Sequence, residues 1–185
     1  MKKELEKCRN EQNIVLVFAN QNDTESFLCG WIAEYSDKYV LIDRVTPKGR
    51  YDGYVVVKTE DIYRIEKNSM YEEKITLLSN MNNIKRKYKK IPKTSSDLLN
   101  DLSNFSQQNQ HLVSVELCDS DKDDTQGMIK SVSEDTVEVV CIDSCGRIDG
   151  ESIIAREQIS SFSCDDDYCA TLLKLHKQRA ALETR

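Results

Sequence analysis

Apolar residues gather along the first half of the chain in short dense runs at 14–19, 27–35, 38–45, 53–58 and 61–66, with polar or Gly/Pro-containing breaks between them. Runs this short, rich in Val and Ile and bounded by turn residues, predict strands rather than helices. Ser36-Asp37 is short enough for a tight hairpin, and 46–52 supplies the Pro and Gly of another turn. Gly30 falls inside the second run, where glycine costs stability unless the strand bends or another backbone comes close. Residues 2–12 are rich in helix formers, with Leu5 and Cys8 on one face. After the fifth run, Ser69 to Glu72 has the spacing of a capping box, followed by Tyr71, Ile75 and Leu78 at helical intervals. This trailing helix is expected to reach about Lys90, before Pro92 stops it.

The whole pattern is written twice. A shift of 97 positions lays residues 14–78 on 111–175 without a gap and gives twelve identities in 65 positions. Gly30 meets Gly127, Gly-Arg-Tyr-Asp-Gly at 49–53 meets Gly-Arg-Ile-Asp-Gly at 146–150, and the helical stripe recurs as Tyr168, Leu172 and Leu175 after a cap at Asp166. Leu5 and Cys8 fall on Leu102 and Phe105, in a second leading helix whose candidate caps are Thr94, Ser95, Ser96 and Asp97. The expected architecture is mainly β with helices: two tandem five-stranded SH3-type barrels, each flanked by a leading and a trailing helix. The units are 1–90 and 91–185, and because each is small the halves are expected to touch.

Charge separates the copies. Residues 12–78 carry eight Lys/Arg against eleven Asp/Glu, or −3, residues 111–178 carry six against fifteen, or −9, and the joining 79–110 carries six against two, or +4. The second copy should therefore repel phosphate backbones. Seven cysteines, none aligned between copies, read as reduced thiols rather than a disulfide framework. The absence of a long apolar run or a signal-peptide pattern points to a cytoplasmic protein without a membrane partner.

A short helix before five bent strands, with a near-continuous turn between the fourth and fifth, resembles the Sm-like family. That family's second motif is matched in spacing by Val57-Lys58-Thr59 with Ile62 and Ile65, and by Ile154-Ala155-Arg156 with Ile159 and Phe162. Family members that hold RNA use an Asn after the second strand and the Arg-Gly of this motif to form a nucleotide pocket. Here Lys38-Tyr39-Val40-Leu41 and Asp135-Thr136-Val137-Glu138 lack that Asn, and Thr59 and Arg156 replace the Gly. The resemblance thus implies the fold, with the RNA site largely lost.

Two stretches carry candidate binding residues. The repeated turn displays Arg50 and Asp52, then Arg147 and Asp149; the competing account has the glycines supply positive φ while the charges pair locally. The basic run Lys85, Arg86, Lys87, Tyr88, Lys89 and Lys90 suits single-stranded nucleic acid or an acidic protein, or else a solvated helix end. Residues 119–127 begin like a calcium loop but place Asp124 and Lys130 where glycine and glutamate are needed. Cys141, Cys145, Cys164 and Cys169 lack zinc-ribbon spacing, and neither His111 nor His176 has a nucleophile beside it in sequence. No cofactor, no metal and no catalysis are expected. The expected function is a non-catalytic binding or assembly module for a protein partner, with exposed barrel edges offering a route to homo-oligomers; RNA binding through 85–90 is the alternative.

Overall fold

The computed structural model of the chain describes residues 1–20, 23–84, 91, 97–118 and 124–183. Helix α1 (Lys2–Glu11) precedes strands β1 (Val15–Phe18), β2 (Leu28–Tyr35), β3 (Tyr39–Val45), β4 (Tyr51–Lys58) and β5 (Arg64–Glu66), and α2 (Met70–Met81) follows. The second copy repeats this as α3 (Leu98–Gln108), β6 (Val113–Leu117), β7 (Thr125–Val132), β8 (Thr136–Ile142), β9 (Ile148–Ala155), β10 (Ile159–Cys164) and α4 (Asp167–Glu183), with a 3-10 turn at Arg156–Gln158. The sequence places every strand, with ends shifted by a few residues at β5 and by fewer elsewhere.

All ten strands join one antiparallel sheet in the order β5-β1-β2-β3-β4-β10-β6-β7-β8-β9. The expected pair of closed barrels is therefore corrected to a single open sheet. The cause is the outer edge of β4, which pairs with β10 of the other copy instead of turning back on its own unit. Each copy keeps the same internal order, fifth strand first and fourth last.

Local signals explain the bends. A Cβ on Gly30 would stand 2.1 Å from the Asp43 carbonyl oxygen, and one on Gly127 2.1 Å from that of Val140, so both glycines admit a close backbone approach. The register slips nearby, between Ile32 and Glu34 and between Ile129 and Ser131, which curves the long second strand of each copy. At the hairpin before β3 the Ser36 side chain accepts from the Tyr39 amide at 2.9 Å.

The helices cover both faces. Leu5 and Cys8 of α1 join Val15, Ile32, Val40 and Val57 in the core of the first copy. On the opposite face Ile75 of α2 packs on Ile14, Leu16 and Phe18. The Ser69 capping box forms as expected, with the Ser69 amide donating to Glu72 Oε2 at 2.6 Å. Asp166 likewise accepts from the Cys169 amide at 2.8 Å. Helix α2 ends at Met81, earlier than expected, where Asn82 donates to the carbonyls of Lys48 and Gly49 and Asn83 turns left-handed.

The stripe expected on α4 is also corrected: Leu172 is buried, but its companions are Cys169 and Leu173, while Tyr168 and Leu175 are 54% and 39% exposed. In the first copy Tyr71 rests edge-on against Phe27 at 5.4 Å. The position matching Phe27 is Asp124, so Tyr168 has no ring to lie on. Cys8, Cys29, Cys164 and Cys169 are buried as small apolar groups, and all seven thiols are unbridged. Burial pushes Cys29 up to about 12 and holds Cys164 well above an ordinary thiol.

Candidate functional site: the free edge of the sheet

The two copies meet through an arrangement that is not symmetric. In the junction Val57, Val56, Val55 and Tyr54 of β4 oppose Ser161, Phe162, Ser163 and Cys164 of β10. Above it lies the leading helix of the second copy, whose Phe105 ring meets Tyr54 at 5.5 Å. Ala33, Tyr39, Leu41, Tyr54 and Val56 from the first copy thus share a core with Leu98, Leu99, Phe105 and Phe162. Gly53, at φ 73, lets the chain between β10 and α4 come close: a Cβ there would stand 2.3 Å from the Cys164 carbonyl oxygen. Polar contacts finish the joint. The Tyr51 hydroxyl donates to Asp165 at 3.4 Å, the Asp167 amide to Asp52 at 3.3 Å, and Lys58 to the Glu157 carbonyl at 2.5 Å.

The fourth strand of a copy therefore receives the fifth strand of another. Applying the same rule to the second copy leaves β9 with an unfilled outer edge, because among the described strands its one neighbour is β8. The edge is long and fairly regular, eight residues against three in β5 at the other end of the sheet. Arg64 and Glu66 pair across β5 and blunt that end. Burial reports the difference directly: the middle of β4 is buried on both faces, whereas on β9 only Ile154 is fully buried. Val56 is 1% exposed and its counterpart Ile153 is 70% exposed. Gly150, the counterpart of Gly53, keeps φ 80 but has nothing within 4 Å of a Cβ placed on it. The positive-φ glycine is thus kept at the hairpin bulge of both copies, with another backbone against it only at Gly53.

Four of the five outer-face positions that are apolar in the first copy have become polar in the second. Ala33, Tyr39, Leu41 and Tyr54 are matched by Lys130, Thr136, Glu138 and Glu151, and only Val56 stays apolar, as Ile153. Lys130 lies 2.6 Å from Glu151 and 3.8 Å from Glu138, so one cation serves two carboxylates. The carboxylate of Glu151 raises the Lys130 ammonium above its ordinary value.

The charged turns are not equivalent. Asp52 pairs with Arg44 at 2.8 Å, not with Arg50, which is exposed. Burial raises Asp52 despite the opposing pull of Arg44. Arg147 and Asp149 are both exposed, and Asp149 joins Asp124, Asp143, Asp166 and Asp167 along an acidic groove between the copies. Lys85, Arg86, Lys87, Tyr88, Lys89 and Lys90 lie outside the described residues, as do Pro92, Thr94, Ser95, Ser96 and most of the calcium-like loop. His111 faces Asp165 at 3.2 Å and stacks on Phe105, and His176 bonds the Gly146 carbonyl, so both rings hold junctions in the fold. Arg156, at the glycine position of the Sm-like motif, is buried and bonds Asp97, Asn100 and the Ser133 carbonyl. In the first copy Thr59 bonds the matching Ser36 carbonyl, so this position ties the turn in both copies. Among the described residues no three His, Cys, Asp or Glu side chains are grouped to hold a metal ion.

Sequence reasoning did not single out β9. The signal was present in the shift itself, as a face apolar in one copy and acidic in the other. The chain matches no family model, no curated protein and no solved structure.

Proposed function

We propose that this protein is a non-catalytic docking module that binds a protein partner by adding one of the partner's strands to the free edge of β9. The observation that carries this reading is the pairing of β4, the counterpart of β9, with β10 of the other copy. Strand addition draws its affinity from main-chain hydrogen bonds and its selectivity from alternate side chains. Here the side chain that would be covered is Ile153, and burying an exposed isoleucine contributes roughly 1.5–3 kcal/mol. We also read each five-strand unit as an SH3-type, Sm-like module; the common strand order, the bulged second strand and the leading helix support that reading.

The test places a photo-crosslinking residue at position 153 and, as a control, at the exposed Leu182 of α4. In native extract the probe at 153 should capture a protein through an extended segment, and Glu151→Pro, at a position whose amide points away from β8, should abolish capture while leaving the β8–β9 pairing intact. Equal capture from both sites, or capture insensitive to the proline, would remove β9 from consideration.

A further inference from the structure

The edge-docking reading leaves open what kind of strand β9 receives, and the residues beside the edge decide it. We propose that the occupant is a bare strand of another protein carrying an apolar residue and, two positions later, a lysine or arginine. This deepens the reading above and rests on it.

The register of the internal junction supplies the pattern. Phe162 opposes Val56 and Cys164 opposes Tyr54. Transferred by the 97-residue shift, the matching acceptors are Ile153 and Glu151. Residues two apart on a strand share a face, so the incoming apolar residue and the cation both lie on the outer face. There the apolar residue covers Ile153, which is 70% exposed. The cation reaches Glu151, whose neighbour Glu138 shares the one lysine between them. Directly opposed unlike charges stabilise a strand pair and like charges destabilise it. The next residue of the partner then enters the open cradle at Gly150.

The same face argues against a whole second copy of this chain. In the internal junction the arriving copy brings α3, which lays Leu98, Leu99 and Phe105 over Tyr39, Leu41, Tyr54 and Val56. A second chain would bring α1, whose buried residues Leu5 and Cys8 face its own core and whose other side is charged, onto Lys130, Thr136, Glu138 and Glu151. Covering that pair of glutamates with a helix would strip water from two carboxylates that share one cation. A strand without a helix leaves them hydrated.

The experiment titrates the full-length protein with synthetic peptides and follows the β9 amides by NMR. The probe is residues 159–165 of this chain carrying Cys164→Lys, compared with the same peptide carrying Cys164→Glu. The lysine peptide should perturb β9 and bind about fivefold more tightly than the glutamate peptide, the size expected of a cross-strand charge pair. Glu151→Lys in the protein should reverse the order, and Ile153→Lys should weaken both. Equal affinities, unmoved by Glu151→Lys, would overturn the proposed chemistry while leaving edge docking in place. If neither peptide perturbs β9, the docking reading falls with it. Self-association in sedimentation that Ile153→Lys dissolves would make a second copy the occupant and overturn the proposal.

Discussion

Gly53 and Gly150 show how one residue type at one position in two copies can carry different loads. Both sit at positive φ, 73 and 80, where an alanine costs about 1–2 kcal/mol from its own backbone. At Gly53 the added carbon also stands 2.3 Å from a carbonyl oxygen of the other copy, while at Gly150 it meets nothing. Gly53→Ala should therefore destabilise the protein by at least about 1–3 kcal/mol more than Gly150→Ala, the usual cost of overpacking. Urea denaturation of the two variants measures the gap, and equal losses would mean that the junction yields freely. The glycine pattern was legible because positive φ leaves a residue signature. The load on each glycine was not, because it depends on a neighbour more than a hundred residues away.

Among the elements, α3 packs on both copies. It lies over β7 of its own copy while touching β3 and β4 of the other, and Leu98, Leu99, Leu102 and Phe105 are all buried. Helix α1, its counterpart, buries only Leu5 and Cys8 and has a charged outer surface. Leu102→Ala should cost about 2–5 kcal/mol, as for buried leucines in other cores. It should also lower the protection of amides in β3 and β4, which belong to the first copy; hydrogen exchange reads both, and a loss confined to β7 would contradict the shared role. The caps were readable from sequence, since Ser69 and Glu72 act within one turn. The facing of α4 was not, because Tyr168 follows an aromatic partner that the second copy replaced with Asp124.

At the scale of the whole molecule, one buried cluster is shared by both repeats, beside a separate core inside the first copy. The cluster that joins Tyr54 and Val56 to Phe105 and Phe162 is continuous with the interior of the second copy, through Val115, Val137 and Ile154. Calorimetry should accordingly record a single transition, with calorimetric and van't Hoff enthalpies equal. Two resolved transitions would show that each copy folds independently. A head-to-tail junction between repeats can in principle be extended without limit. Repeat arrays end in units with a polar outer face, and the lysine and glutamates beside β9 provide one. The edge itself keeps its isoleucine and its glycine cradle, the two features on which the proposed strand docking rests.

The sequence by itself determined the duplication, the strands and helices of each copy, the caps and the two close-approach glycines. These follow from residue types acting over a few positions, and the repeat gave each signal twice. Tertiary structure decided that the sheet stays open, that β4 is filled and β9 is not, and that Asp52 answers Arg44 rather than Arg50. Strand pairing between copies is made by backbone groups that every residue carries, so it leaves no residue signature. Only its consequence is written in the chain, as a face that is apolar where it is covered and charged where it is not.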